Sequence, residues 1–566
     1  MGATAKKMFG IAFGLALISA VVQSGPAMAN VSLKNGNFFM GYTDINYPGG
    51  FEPRIERVYN SKTPFKGIFG WGWGNEYEAY LEVSADGSVV VHEYGGGAEN
   101  RFTPVAFKAS ELDAAVASLV DAKRKMGGIG STAQADAEKK KLKTDAYYRN
   151  EEWKKLVAMG KLSARKLPNG TQLHSNRFSY QYITKVDAGY VRAFDNGRVE
   201  KFDEMGRLTR INDRNSNFVE LAYGKDGKIE KIVDNFNRKI FFSFNKKGLV
   251  EKIEGEGGKV AVYKYNDQDE LSWSKDVDAN VYEYKYSPNK NHNMVQIAYS
   301  DKTTMEMAYF GRDLFENIKS VKDRSGNTTS YAYEYGKGGN KFQKIAVSVV
   351  GPDKKPISKS AYEYFLALKA TGEEWTRKMV SVVDGDRTET VYNECCGLPL
   401  SIKRNGLETA FEYDTKGHVT KKTTPFEVTE LKYDPKAGKV ARVARYSKKN
   451  KKASSWSEFN YDEKGNLIFA KNSEGKGVKL LYDTNGRIKS LVDQERKQLH
   501  FKYDPQTSKP IEISDPALGT ITVSYNAAGE IKKVESSAGR KIAMQVTSAF
   551  QNLLDIIRPA GVSLSF

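Results

Sequence analysis

The sequence predicts an all-β fold in which short hairpins repeat along most of the chain and join into one antiparallel sheet. Three observations predict it. Aromatic residues recur every 21 residues over long stretches, and a glycine follows most of them. The residues before each aromatic alternate in polarity, which places one set of side chains on one face of a strand. The 566 residues include 32 Tyr and 28 Phe, a composition that suits pleated sheet.

Residues 1–29 have the composition of a secretory signal peptide. Lys6 and Lys7 precede an apolar run over residues 8–22, and residues 27–29 (AMA) form a small-x-small cleavage site. The run of about fifteen residues is shorter than the roughly 20 that a membrane-spanning helix needs. We therefore expect export to the periplasm, the cell surface or the medium, with no transmembrane segment after cleavage.

The chain is basic. Lys and Arg number 87 against 69 Asp and Glu, which gives a formal net charge of +18. Removal of Lys6 and Lys7 with the signal peptide leaves 18 − 2 = +16. This charge favours association with anionic partners such as polysaccharide, but it does not specify a fold. A solvated, lysine-rich surface is the alternative interpretation, and nucleic acid is not expected as a partner.

Residues 30–103 are predicted to form a front module of β-structure. A strand over residues 57–61 and the turn GWGW at residues 70–73 characterise it. Trp71 and Trp73 are candidate surface-binding residues, because indole rings stack on sugars. The alternative is that the two rings pack inside and plug an open end of the sheet.

Residues 104–168 change to helical composition and predict a helical hairpin inserted into the β-structure, with a break at Gly127-Gly128. Lys139, Lys140 and Lys141 lie on its second helical stretch and are candidate surface-binding residues for an anionic partner. The alternative is that the hairpin packs as a lid or prop against the sheet. A β connector over residues 169–189 leads back to the repeat.

Residues 190–539 carry the repeat. Each unit predicts a strand that ends at the aromatic, a turn closed by an aspartate and a left-handed glycine, and a second strand. The second strands are expected to begin at Leu208, Ile229, Leu467, Ile488 and Ile531. The residues that define the repeat are Tyr223, Gly227, Tyr265, Tyr413, Asp414, Gly417, Tyr461, Asp462, Gly465, Tyr482, Asp483, Gly486, Tyr503 and Asp504.

These units resemble a known family. The pieces FDEMGRLTRINDRNSN, FEYDTKGHVTKK, FNYDEKGNLIFAKNSEGKG and LLYDTNGRIKSLVD resemble the YD repeats of the RHS family, which is also represented in insecticidal toxin complexes and teneurins. The stretch from Asn35, NGNFFMGYTDINYPGGFEPRIERVYNS, resembles the module that precedes such repeats. The resemblance implies a spiralling antiparallel YD-repeat sheet that forms a partial shell or barrel, with the helical hairpin inserted.

The sequence nominates no catalytic, cofactor-binding or metal site. The five histidines are widely separated, no HExxH or GxSxG element is present, and the turns account for most aspartates. We therefore expect that the protein is not an enzyme and needs no cofactor. Cys395 and Cys396 are adjacent, which leaves open a vicinal disulfide, two turn thiols, or a redox or metal-binding role.

Residues 540–566 are expected to form a C-terminal strand segment. Long RHS proteins carry a toxin domain after the shell, but only 47 residues follow Gly519, so no toxin domain is expected on this polypeptide. The expected function is an exported structural or scaffolding protein of the cell envelope, a partial shell around an envelope or surface protein. The first alternative is a basic adhesion module that binds cell surfaces or polysaccharide. The second is a toxin-delivery component whose cargo is a separate chain.

Overall fold

A computed structural model describes residues 30–47, 51–93, 98–106, 108–175, 181–289, 291–336, 342–368, 374–394, 397–449, 454–505, 509–525, 531–537 and 539–557. The predicted signal peptide and the pair Cys395 and Cys396 lie outside these ranges. Within them, no helix is both long and apolar enough to cross a membrane.

Most of the described chain forms one antiparallel sheet in which each strand pairs with the next along the sequence. Its first strands are β7 Tyr80–Val83, β8 Val89–Glu93, β9 Ala98–Pro104, β10 Gln172–Ser175, β11 Tyr182–Val186, β12 Gly189–Ala193, β13 Val199–Phe202, β14 Leu208–Asn212, β15 Phe218–Tyr223, β16 Ile229–Asp234, β17 Lys239–Phe244, β18 Val250–Gly255, β19 Val260–Tyr265 and β20 Leu271–Lys275. The next are β21 Val281–Tyr286, β22 Met294–Tyr299, β23 Thr304–Tyr309, β24 Ile318–Lys322, β25 Thr328–Tyr335, β26 Phe342–Val350, β27 Pro356–Leu368, β28 Glu374–Val383, β29 Asp386–Tyr392, β30 Pro399–Arg404 and β31 Leu407–Tyr413. The last are β32 Val419–Thr423, β33 Glu427–Tyr433, β34 Val440–Ser447, β35 Ser455–Tyr461, β36 Leu467–Asn472, β37 Gly477–Tyr482, β38 Ile488–Asp493, β39 Gln498–Tyr503, β40 Pro510–Asp515, β41 Gly519–Tyr525 and β42 Ile531–Ser536.

The repeat register in the structure is the one that the sequence predicts. Repeat aromatics end their strands, as Tyr223 ends β15 and Tyr482 ends β37, and the five expected second strands begin at the predicted residues. In the turn after Tyr482, Oδ1 of Asp483 accepts the backbone N–H groups of Asn485 and Arg487 at 3.0 and 2.9 Å. Gly486 closes that turn with a φ of +78°, a conformation that glycine adopts without steric penalty.

The repeat tyrosines also bind neighbouring hairpins through their hydroxyl groups. Each hydroxyl donates a hydrogen bond to a backbone carbonyl at the start of a strand in the preceding hairpin. Such bonds of 2.6–2.9 Å join Tyr223 to Leu208, Tyr265 to Val250, Tyr286 to Leu271, Tyr413 to Pro399, Tyr433 to Val419, Tyr461 to Val440, Tyr482 to Leu467, Tyr503 to Ile488 and Tyr525 to Pro510. The tyrosines therefore share one face of the sheet, which we call the tyrosine face.

The sheet winds as an open spiral. Its first turn closes where the Leu81 N–H donates to the Gly206 carbonyl at 2.8 Å. Later turns touch the first through their loops: Asn217 Nδ2 donates to the Asn485 carbonyl at 3.0 Å, across a separation of 268 residues. In the described residues β42 pairs in register only with β41, and β7 only with β8, so the sheet is not a closed barrel. The predicted all-β, spiralling antiparallel fold is confirmed.

The front module packs against the tyrosine face of the first spiral turns. Its strands are β1 Asn30–Ser32, β2 Asn37–Asn46, β3 Arg54–Asn60, β4 Lys66–Gly67, β5 Gly70–Trp71 and β6 Trp73–Gly74. The Tyr59 hydroxyl donates to the His292 carbonyl at 2.9 Å and accepts the Met294 N–H at 2.8 Å. One apolar core joins the module to the sheet as far as Ile318, so the module fills the first part of the spiral.

The inserted segment contains three helices, where the sequence predicted a hairpin of two. They are α1 Ala109–Lys125, α2 Thr132–Thr144 and α3 Ala146–Ala158. The predicted second stretch divides at Asp145, whose side chain accepts the Tyr148 N–H at 2.9 Å and so caps α3. The three helices share a small apolar core of their own, centred on Leu119 and Leu142.

The C-terminal prediction was wrong, because residues 540–557 form a helix and not a strand. This helix, α4 Arg540–Ile557, lays Ile542, Val546, Leu553 and Ile556 on the apolar residues of β36–β41. The side chains recur at helical spacing and cover the tyrosine face at the end of the spiral. The second core of the sheet therefore depends on a helix that the chain itself supplies.

Candidate functional site

The candidate site is an uncovered stretch of the tyrosine face. The front module covers this face near the start of the spiral, and α4 covers it over β36–β41. The same face continues between the two cores. Tyr333, Ile345, Tyr362 and Ser381 are successive cross-strand partners on it. Most side chains of this face over β26–β33 are only half-buried. We call this stretch the open tyrosine face.

A buried ion pair lies inside the front module, which covers the tyrosine face before the open stretch begins. Arg57 and Asp44 form a bidentate ion pair, in which Nε contacts Oδ2 and Nη2 contacts Oδ1 at 2.9 Å. Arg57 is 0% exposed. Tyr263 of β19 donates to Asp44 Oδ2 at 2.7 Å, and Arg57 Nη2 donates to the Ser274 hydroxyl at 3.2 Å. Burial disfavours the charge on Arg57, but Asp44 outweighs it and raises the pKa of Arg57 above its usual value. The pair therefore locks the module to the sheet.

The two tryptophans of the GWGW turn do not form a surface-binding pair. Trp73 is 0% exposed, and its Nε1 donates to the Tyr286 hydroxyl at 2.9 Å, so its candidate role at the surface is wrong. Trp71 is half-buried and stacks on His292 with ring centroids 4.4 Å apart. Trp73 is a packing residue of the plug, which was the alternative interpretation of the sequence.

Buried charged side chains hold the inserted helices against the loop between β7 and β8. Asp86, in the loop between β7 and β8, contacts Arg101 Nη2 at 2.5 Å and Arg149 Nη2 at 2.9 Å. Arg149 Nη1 also donates to the Leu142 carbonyl at 2.7 Å, which ties α3 to α2. Burial would raise the pKa of Asp86, but the two guanidinium groups outweigh it and hold that pKa below its ordinary value.

A histidine cluster lies beside this anchor. His92 Nε2 is 3.0 Å from Glu82 Oε2, its Nδ1 is 3.4 Å from Glu99 Oε1, and its ring stacks on Tyr80. Lys154 of α3 contacts the same Glu82 carboxylate at 2.8 Å. Burial opposes ionisation of Glu82, but His92 and Lys154 outweigh it and lower its pKa. Glu82 therefore joins α3, through Lys154, to β7 and, through His92, to β8.

The inserted helices and the open tyrosine face enclose a cavity of about 1120 Å³. One wall consists of α2, α3, β8 and β9 and presents Lys141, Tyr147 and Lys154. The other wall belongs to β27–β29 and presents Tyr364 and Tyr392. Basic and acidic groups both line the cavity, beside several aromatic rings. Such a lining suits a polar polypeptide segment with aromatic or aliphatic side chains better than a small anion.

The predicted lysine run lies at this cavity and at the surface. Lys139 and Lys140 are exposed on α2, and Lys141 lies with its Nζ 3.6 Å from the ring centroid of Tyr148. Lys141 also lines the cavity. The repeat-defining tyrosines lie together on the tyrosine face. The buried Arg57 was not predicted, although Ile55, Arg57 and Tyr59 alternate on the buried side of β3, a pattern that indicates a buried charge.

No group of three or more His, Cys, Asp or Glu side chains that could hold a metal ion occurs in the described part of the chain.

Comparisons with known proteins find one matching domain model and several similar solved structures. Residues 29–102 match the model of a domain of unknown function, DUF6531. No curated protein sequence matches the chain. Solved structures that resemble it include a Tc holotoxin pore of Photorhabdus luminescens with a TccC3 mutation, at 11% identity and a TM-score of 0.42, over 90% of this chain and 28% of that one. Another is the TcdB2-TccC3-TEV structure, at 12% identity and a TM-score of 0.43, over 97% and 29% of the two chains. The chain thus spans less than a third of these structures, and at such scores the likenesses carry no conclusion about its function.

Proposed function

We propose that this chain is an exported scaffold of the RHS/YD-repeat type, which holds a polypeptide segment of an envelope or surface protein against its open tyrosine face. The proposal rests on which parts of that face are packed against other parts of the chain. The chain covers the two ends with its own front module and α4, and it leaves the stretch over β26–β33 half-exposed.

Physical chemistry favours an occupant for this stretch. A contiguous surface of Tyr, Ile, Val and Phe side chains in contact with water is unfavourable, and large surfaces of this kind mark interaction sites. Ile345 is buried, while its cross-strand neighbours Tyr333 and Tyr362 are half-buried. The mixed charges around the cavity match a polypeptide partner, which carries both signs and backbone hydrogen-bonding groups. We propose no catalytic step for the chain.

Photo-crosslinking in the cells that produce the protein tests the proposal. A photo-reactive amino acid at Tyr364, on the open tyrosine face, is expected to yield one discrete cross-linked product with a partner protein. The same amino acid at the adjacent Glu363 is the matched control, because Glu363 lies on the opposite face of β27 and pairs with Lys344 at 3.5 Å. Equal labelling from both positions, or no product from position 364, would contradict the proposal.

Binding of an anionic polysaccharide stays the alternative prediction. The exposed Lys139 and Lys140 favour it, but they lie on the inserted helices and do not explain the open tyrosine face.

A further inference from the structure

A lysine of the front module and an asparagine of the sheet meet where the module joins the spiral. Lys62 follows β3, and Asn317 immediately precedes β24. The backbone is fixed here, because the Ile318 N–H donates to the Gly36 carbonyl at 2.9 Å. A methyl carbon on Gly36 would lie 2.4 Å from both Cβ and Cγ of Asn317, so the module is packed tightly against this carboxamide. The two side chains therefore meet in a defined geometry.

The amine of Lys62 lies beside the carboxamide of Asn317. Its Nζ is 2.8 Å from Asn317 Oδ1 and also contacts the Phe315 carbonyl. Since a C=O bond is about 1.23 Å long, Nζ lies within about 4 Å of the carboxamide carbon. This is close to the separation of about 3–3.5 Å from which an oriented nucleophile attacks.

The surroundings supply the other requirements for amide exchange. Asn317 is 1% exposed, so water has little access to the carboxamide. Its Nδ2 donates to the Tyr335 hydroxyl at 2.5 Å, which places a proton source at the leaving nitrogen. Burial lowers the pKa of Lys62 to about 8, against the opposing effect of the Glu316 carboxylate, so a sizeable fraction of the amine is neutral near that pH.

We propose that Lys62 and Asn317 join through an intramolecular amide bond without any added enzyme or cofactor. Lys62 Nζ attacks Asn317 Cγ and forms the new C–N bond, while the bond from Cγ to Nδ2 breaks. Glu316 accepts the proton that Nζ loses, and Tyr335 donates one to the departing nitrogen, which leaves as ammonia. Proton return from Glu316 to Tyr335 restores both groups, so that one amide replaces another and no oxidant or reductant is consumed.

The bond would connect residues 255 positions apart in the sequence. It would add a covalent link to a joint that otherwise depends on packing and on hydrogen bonds, such as those of Tyr59 to His292 and of Tyr263 to Asp44. The inference concerns the integrity of the plug and does not depend on the partner proposed above.

The intact mass of the purified full chain tests the inference. After incubation at pH 8 the mass is expected to be lower than that of the unlinked chain by one ammonia. Proteolysis is expected to release one branched peptide that contains Lys62 and Asn317. Lys62→Arg and Asn317→Ala should each restore the full mass. Lys66→Arg is the matched control and should keep the loss, because Lys66 pairs with Asp269 at 2.6 Å instead.

The pH dependence and the peptide map distinguish this bond from other changes. Formation should accelerate as the pH rises towards 8 and then level off, because the neutral fraction of Lys62 saturates above its pKa of about 8. An unchanged mass after long incubation of the folded chain at pH 9 would overturn the inference. A loss of ammonia confined to an unbranched peptide would also overturn it, since it would indicate succinimide formation at an asparagine.

Discussion

Replacement of Arg57 by Met is expected to lower the free energy of unfolding of the full chain by about 3–5 kcal/mol. The substitution leaves the Asp44 carboxylate buried without its cationic partner, and an uncompensated buried charge costs about that much. Arg57 is 0% exposed and its guanidinium carbon lies 4.9 Å from the Trp73 ring centroid, so the change also removes packing. Urea unfolding followed by tryptophan fluorescence measures the effect.

Two controls separate the buried pair from a general effect of arginine. Arg54 lies on the same strand, where its partly exposed guanidinium contacts Glu56 at 3.2 Å and Glu76 at 3.8 Å. Glu76 keeps Arg198 as a second partner at 3.7 Å, so Arg54→Met should cost only about 1 kcal/mol. The double variant Arg57→Met/Asp44→Leu should recover part of the loss, because it removes both charges. A similar, small effect at Arg57 and Arg54 would contradict the role of the pair as the lock of the front module.

Truncation of Leu553 to Ala is expected to destabilise the end of the spiral by about 2–5 kcal/mol, the usual range for a fully buried leucine. Leu553 is 1% exposed and belongs to the core that α4 forms with β36–β41. Hydrogen exchange resolved by peptide should show faster exchange in β36–β41 and little change in β14–β24, because the two cores are separate.

The matched control for this change is Met544 on the same helix. Met544 is 64% exposed, so Met544→Ala should alter the free energy of unfolding by no more than about 0.5 kcal/mol. Unchanged exchange in β36–β41 after Leu553→Ala would show that α4 does not support the sheet. Equal effects of the two substitutions would lead to the same conclusion.

The local parts of this fold can be predicted from the sequence. The repeat register follows from short-range rules: an aspartate and a left-handed glycine define each turn, and period-two alternation defines each strand. For this reason the strands begin at Leu208, Ile229 and Ile488 as expected. The alternation also places the residues before each tyrosine on one face of their strand, but the hydroxyl bonds of the tyrosines to the preceding hairpin were not predicted.

The long-range parts could not be predicted in the same way. The partners of Arg57 include Ser274, at a separation of 217 residues, and no local pattern indicates that contact. The helix α4 was mistaken for a strand, although Ile542, Val546, Leu553 and Ile556 recur at helical spacing. The open tyrosine face could not be predicted, because its strands have the same repeat pattern as the strands that the front module and α4 cover. Only the tertiary structure shows which strands are covered.

Tyrosine nitration of the isolated full chain, mapped by peptide mass spectrometry, tests whether the spiral is covered at its ends and open between them. Tyr362, Tyr364 and Tyr392 on the open tyrosine face are expected to react faster than Tyr263 and Tyr284, which are 3% and 4% exposed beneath the front module. The same residues should become protected when the cross-linked partner is bound. Equal reactivity of the two groups, or faster reaction of Tyr263 and Tyr284, would contradict a spiral that is covered at its ends and open between them.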